Sequence, residues 1–403
     1  MQAKTGGMLS VDEALEVLLV GAQPVTETEE VSTLHATGRV LAADQRSGLD
    51  VPPLDNSAMD GYAVRVEDCK GGASLRIAQR IAAGDVGRPL EPGTAARIFT
   101  GAPVPPGADA VVMQEFCTVE GETVRIEEKP EPGQWIRRVG EDIRAGSVIL
   151  QAGRKLLPQD VGLAASVGLA SLPVYRRLKV AVFCTGDELV MPGEPLPEGA
   201  IYNSNRYTLS GLLQLMGCEV VDLGIVPDTL EATRVAFREA AQGTDLIITS
   251  GGMSVGEEDH VKPAVEAEGR LDMWRIAMKP GKPLAFGRVG DTPFIGLPGN
   301  PVSVLITFMI FVRPFILKRQ GATQLAPRSY AMRADFEWRQ PDVRREFLRA
   351  RINGAGGLDI YPNQSSAVLT SAVWGDGLID VAPRQPIWQG QTVRFLPFSE
   401  LLY

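Results

Sequence analysis

Between residues 178 and 320 the chain alternates short, nearly uninterrupted apolar runs with amphipathic stretches, and this alternation constrains the fold more than any other feature. An apolar run without polar interruption is what a strand needs when both faces of its sheet are covered, so the segment predicts a parallel sheet between helices. The strands read as VAVFCT, CEVVDLGIV, residues 245–250 and FIGL. The helices read as residues 205–216, a segment opened by Asp228, a segment after His260 and the apolar stretch after GLPGNP. Asp228, with Glu231 three residues on, reads first as an N-cap and its capping box, although the same loop could present the carboxylate to a metal. Residues 302–312 hold nine apolar side chains in eleven and stop at Arg313 and Pro314. That run is too short to span a bilayer and predicts a buried helix.

Toward the N-terminus, Ser10 and Glu13 form a capping box for a helix whose Ala14, Leu15, Leu18 and Leu19 share a face and which ends near Gly21. From about residue 49 to 149 the texture changes to β-prone runs at 75–81, 95–99, 110–114 and 123–126, separated by Gly and Pro turns, as in a small all-β domain. Pro158 suits a first helical turn and Gly168 a stop. Beyond Pro327 the pattern is again β-like. A formal charge of -9 over 403 residues opposes general attraction to nucleic acid or an anionic membrane, so any anionic ligand needs a local site. Cys69, Cys117, Cys184 and Cys218 form no C-x-x-C pair and only two histidines accompany them, which removes a zinc reading. No apolar leader opens the chain, and a cytoplasmic location is expected.

In an open parallel sheet, ligands bind beyond the carboxyl ends of the strands. Thr185-Gly186-Asp187-Glu188 places two carboxylates there. Ser250, Gly251, Gly252 and Ser254 offer hydroxyls and backbone N–H groups for a phosphate, and Glu257, Glu258 and Asp259 follow. Pro298, Asn300 and Pro301 shape a rigid turn into a helix, whose N-terminus can receive an anion. Carboxylates beside a phosphate cradle repel the ligand unless a cation lies between, and Mg²⁺ favours one or two carboxylates plus phosphate oxygens. Each loop alone is a common turn; on successive strands they point to a Mg-bridged phosphoanhydride. Lys279-Pro280-Gly281-Lys282-Pro283 sets two ammonium groups three residues apart on a proline-restricted backbone, suited to a small oxyanion, with a solvated turn as the plain alternative.

The segments PPLDNSAMDGYAV, TGAPVPPGADAVV, GEDI, TGDEL, IYNSN, TSGGMSVGEEDH, MKPGKP and GLPGNPVSV, in order from Pro52 to Val304, resemble the MoeA family of molybdopterin molybdenumtransferases, whose eukaryotic relatives include the gephyrin E domain. The resemblance implies a multidomain α/β plus β subunit. Its parts are a helical linker region (1–48 and 139–177), an inserted β domain (49–138), an α/β domain similar to pterin-adenylylating proteins (178–326) and a C-terminal β domain (327–403). It further implies Mg²⁺-assisted insertion of molybdenum from molybdate into adenylylated molybdopterin, with release of AMP, by a homodimer whose active site lies between subunits. By motif, Glu188, Asp228 and Asp259 would hold Mg²⁺ and the phosphate end. Asp60, Thr100 and Asp142 would come from the facing part of the dimer. Lys279, Lys282 and Pro283 would form the molybdate pocket, joined by Arg349 and Ser371. A molybdopterin-adenylylating protein is the implied pathway partner.

Two other functions compete. Adenylylation of molybdopterin fits the α/β module, but the two β modules are surplus to it. A non-catalytic dimeric scaffold fits the gephyrin relationship, but the intact carboxylate, Gly-rich and KPGKP loops stand against it.

Overall fold

The computed structural model describes residues 8–70, 72–253 and 260–402. They fall into two compact units, one of Met1–Ala42, Gly153–Leu157 and Leu172–Tyr403, the other of Ala43–Ala152 and Pro158–Ser171.

The first unit is built on a six-stranded sheet of β1 (Lys179–Thr185), β2 (Glu219–Val226), β3 (Leu246–Ser250), β4 (Gly269–Arg275), β5 (Pro283–Val289) and β6 (Thr292–Leu297), in the order β2-β1-β3-β6-β5-β4. β2, β1, β3 and β6 pair parallel, whereas β5 pairs antiparallel with both β6 and β4. The sheet is therefore mixed, not the all-parallel sheet that the alternation predicts. The difference arises at Gly290, whose φ of 55 allows a short return between the paired residues Val289 and Thr292, so no crossover helix is needed there.

β1 lacks polar alternation because both of its faces are covered. Val180 and Val182 enter one core cluster with Leu18 and Phe315, while Ala181 and Phe183 enter the opposite cluster with Phe237 and Val265. Phe183, Phe237 and Phe294 meet edge to face at 5.2 and 5.0 Å between centroids. The helix Pro301–Arg319 is long and apolar enough to cross a membrane by length and composition, yet 78% of its apolar window is buried inside the fold. A five-residue π turn, Phe308–Val312, interrupts it just before Pro314, which lacks the N–H that an α turn would use.

The C-terminal segment of the same unit forms a second sheet of Arg345–Ile352, Gly377–Val381, Thr392–Pro397 and Tyr330–Arg333. Its other edge is the two-residue strand Met278–Lys279, which pairs parallel with Arg345 and Glu346. The turn between β4 and β5 is thereby stitched into the C-terminal sheet. In the second unit the β-prone runs become Ala73–Ile81, Thr94–Ile98, Ala110–Met113 and Thr123–Ile126, which join Gly61–Val64 and Cys117–Glu120 in a six-stranded sheet.

The first helix, Val11–Val20, carries both bonds of the capping box between Ser10 and Glu13. Asp228, by contrast, is not a cap. The helix Leu230–Ala240 starts one residue later with Thr229 as N-cap, extended at φ -127 and ψ 148, and its Oγ1 accepts from Ala232 N at 3.3 Å. Glu231 turns to Arg234 and Arg238 instead of closing a capping box with Asp228. Thr229→Ala is expected to weaken this helix by about 1 kcal/mol, and Asp228→Ala to leave it intact. Amide hydrogen exchange across Leu230–Ala240 checks this; equal weakening by both variants would contradict the assignment.

Candidate active site

Because β1, β3 and β6 are parallel neighbours, their carboxyl ends open at one edge and the loops that follow them converge. They line a cavity of about 1010 Å³ together with Ile201, Tyr202, Asn203, Asn205, Asp228, the Lys279-Pro280-Gly281-Lys282-Pro283 turn, Arg344 and the segment from Gln364 to Ala367. The loops approach so closely that side chains are excluded. A Cβ on Gly251, at φ +98, would lie 2.3 Å from Thr185 O, and one on Gly281, at φ +108, would lie 2.4 Å from Thr307 Cγ2.

Side-chain hydrogen bonds lock the loops together. Asn205 Nδ2 donates to Ser250 Oγ (3.0 Å) and to Gly299 O (2.6 Å), and Ser250 Oγ donates to Pro298 O (3.0 Å). Asn205 belongs to the helix Ser204–Leu215, whose N-cap Asn203 accepts from Arg206 N at 3.1 Å. The helix at Pro301 also begins at the cavity, with Asn300 as an N-cap that makes no side-chain cap bond. Its amide donates to Ser366 Oγ (3.0 Å), and Ser366 O accepts from Val302 N (3.0 Å), so part of this N-terminus is already engaged by the C-terminal segment. Thr185 Oγ1 and Asn205 Oδ1 are buried without a hydrogen-bond partner among the described residues. Unpaired buried polar atoms at a cavity wall are places for a ligand to satisfy.

The walls differ in charge. Glu188 and Asp228 bring carboxylates to the cavity, while Lys279, Lys282 and Arg344 bring cations. Glu188 folds over Gly186, where a Cβ would stand 2.6 Å from its Oε2. Its neighbour Asp187 accepts from Asp228 N at 3.0 Å and ties the two acidic loops together. Lys279 Nζ lies 3.1 Å from Glu346 Oε1 and 3.5 Å from Asp342 Oδ2. Arg344 grips Asp342 with two hydrogen bonds of 2.9 Å, which holds the Asp342 carboxyl well below its ordinary value. Lys282 is exposed and has no carboxylate partner among the described residues. Burial pushes the Cys184 thiol up to about 11, so this cavity-lining group stays protonated at neutral pH.

The predicted residues thus sort by place. Glu188, Asp228, Ser250, Gly251, Gly252, Lys279, Lys282, Pro283, Pro298, Asn300 and Pro301 share the cavity. Ser254 and Asp259, with Glu257 and Glu258, lie outside the described residues. Arg349 and Ser371 meet each other next to the Gln364-Ser365 wall: Arg349 Nε donates to Ser371 Oγ at 3.0 Å and its guanidinium to Ser365 O at 3.1 Å. Arg349 is 1% exposed, burial lowers it to about 10, and no carboxylate pairs with it among the described residues. Asp60 and Thr100 meet in the second unit, where Thr100 N and Oγ1 donate to Asp60 Oδ1 at 2.8 and 2.7 Å; the backbone bond foremost lowers that carboxyl. Asp142 is exposed in the same unit and its N–H donates to Val51 O.

The sequence reading missed Arg344 and the Gln364-to-Ala367 wall, and it quoted IYNSN without giving Asn203 and Asn205 a role. Among the described residues no three His, Cys, Asp or Glu side chains cluster to hold a metal by themselves. Two carboxylates with an open cavity beside them still match Mg²⁺, which takes its remaining oxygens from substrate and water.

Residues 9–168 match the MoeA N-terminal region (domain I and II), residues 181–318 the probable molybdopterin binding domain and residues 331–398 the MoeA C-terminal region (domain IV). A molybdopterin molybdenumtransferase of Haemophilus influenzae is 42% identical over 403 residues, covering 98% of this chain and 100% of the relative. Molybdopterin molybdenumtransferase 2 of Mycobacterium tuberculosis is 39% identical, over 93% of this chain and 95% of its own length. The crystal structure of a molybdopterin biosynthesis moeA protein from Pyrococcus horikoshii OT3 superposes with a TM-score of 0.86 at 28% identity, covering 97% of this chain and 100% of that one. With three matching regions in order and identity sustained over the whole length, the chain belongs to the MoeA family of molybdopterin molybdenumtransferases.

Proposed function

We propose that this chain is a cytosolic enzyme of molybdenum cofactor biosynthesis that takes molybdenum from molybdate, inserts it into adenylylated molybdopterin and releases AMP. The observation that carries this reading is one cavity with carboxylates on one wall and cations on another. A phosphoanhydride and an oxyanion need those two environments side by side.

The phosphate end of the substrate fits the loops at Ser250, Gly251 and Gly252 and at Pro298, Asn300 and Pro301, where backbone N–H groups and a helix N-terminus favour negative charge. Glu188 and Asp228 would hold Mg²⁺, with Asp259 as a further ligand. Mg²⁺ bound there would offset charge on the bridging and leaving phosphate oxygens. Lys279, Lys282 and Pro283 receive the molybdate. Arg349 adds a buried positive charge next to the wall, oriented by Ser371. Four modules, with boundaries near residues 48, 138, 177 and 326, accompany this reading. The partners are a second copy of the chain, so that the partner subunit's Asp60, Thr100 and Asp142 complete each site, and a molybdopterin-adenylylating protein as the source of substrate.

Incubating the purified chain with adenylylated molybdopterin, Mg²⁺ and molybdate should release AMP and yield active cofactor. Supplying ATP and free molybdopterin should give no pyrophosphate. The reverse pattern would favour the adenylyltransferase, and no product in either assay the scaffold. Glu188→Ala is expected to slow AMP release by roughly 100-fold with an unchanged melting temperature; full turnover would remove Glu188 from the site. Asp60→Asn and Glu188→Ala, each strongly impaired alone, should regain part of the activity when mixed and allowed to exchange subunits. Mixed dimers that form without regaining activity would show that each site draws on one subunit only.

A further inference from the structure

The turn that carries Lys279 takes its position from the C-terminal sheet. Lys279 stands directly opposite Glu346 in the parallel ladder of Met278–Lys279 with Arg345–Ile352. Glu346 is 1% exposed, and such a carboxylate is tolerated only where donors meet it. Two hydrogen bonds meet it at Oε2, from Trp338 Nε1 (2.9 Å) and Asp342 N (2.8 Å), while Oε1 accepts no hydrogen bond among the described residues and is balanced by the Lys279 ammonium, an ion pair at 3.1 Å. Asp342 in turn fixes Arg344 and lies 3.5 Å from Lys279 Nζ. Paired by charge with these two carboxylates, Lys279 remains 40% exposed and lines the cavity. Holding a long lysine stem in place beforehand removes from ligand binding the entropy of ordering it.

We infer that Glu346, helped by Asp342, is the positioning residue of the oxyanion pocket. It holds the Lys279 ammonium at the cavity wall, and Asp342 fixes Arg344 beside it. The incoming oxyanion therefore meets two preset cations and the exposed Lys282. This rests on the proposed reading of the KPGKP turn as the molybdate pocket. The C-terminal module thereby gains a defined role, because its strand sets the geometry of a turn that belongs, in sequence, to the α/β domain.

Glu346→Gln tests it in the full-length chain, with molybdate itself as the varied substrate. The glutamine oxygen can still accept from Trp338 and Asp342 N, but its amide faces Lys279 with a second donor. The molybdate KM is expected to rise about 5-fold, while kcat at saturating molybdate and the KM for adenylylated molybdopterin move much less. In a Lys279→Ala background the same change should add nothing further, because both act through one ammonium. Glu346→Asp, which keeps the charge but draws it back from Lys279, should give the same split and serves if the glutamine variant folds poorly. Additive effects of Glu346→Gln and Lys279→Ala, or a parallel shift of both KM values with a lower melting temperature, would overturn the inference alone. A Lys279→Ala protein with a wild-type molybdate KM would overturn the pocket reading and the inference with it.

Discussion

Parallel pairing of β1, β3 and β6 is the constraint from which the cavity follows. Parallel strands end at the same edge, so the residues that follow Thr185, Ser250 and Leu297, among them Gly186, Gly251 and Pro298, line one cavity. The close approach of Gly251 to Thr185 O, and the bonds of Asn205 to Ser250 and Gly299, turn that shared edge into a fixed surface. Both cores serve this arrangement. Val180 and Phe183 leave β1 on opposite faces, each into a closed apolar cluster, and nothing on the strand except its end remains free for chemistry.

Features readable in the sequence were those set by neighbours in the chain. The Ser10–Glu13 capping box, the unbroken apolar strands and the Gly-rich turns after them all depend on spacings of a few residues, and each appears where the pattern put it. Asp228 failed as a cap although its type was right, because Thr229 is also a competent cap residue and the helix began one position later. Periodicity also could not separate a parallel strand from an antiparallel one. β5 and β6 are both almost wholly apolar, and only the short return at Gly290 reverses the direction between them. The MoeA resemblance supplied what spacing could not, suggesting one pocket for Lys279 and Arg349 although they lie far apart in the chain.

What stayed illegible was long-range register. Nothing in MKPGKP or PDVRREF announces that Met278 lies beside Arg345, yet that pairing sets Lys279 against Glu346 and brings Arg344 to the cavity. The Gln364-to-Ala367 wall was invisible for a similar reason. Its contacts run through Ser366 to Asn300 and Val302, and through Gln364 to the backbone of Arg349, and neither connection leaves a periodic trace.

The same register bears on how an acidic chain would offer the proposed pocket to an anion. With a formal charge of -9 the protein as a whole repels oxyanions, so attraction must come from cations held close together. Cations at close quarters repel one another and are costly to desolvate unless countercharge lies nearby. Asp342 and Glu346 supply it from beside and behind the wall, where they sit 18% and 1% exposed against Lys279 at 40%. The carboxylates are thus withdrawn from the cavity while the cations reach into it. If the wall is the oxyanion pocket proposed above, an entering dianion would meet the donors first and the balancing charge only through them.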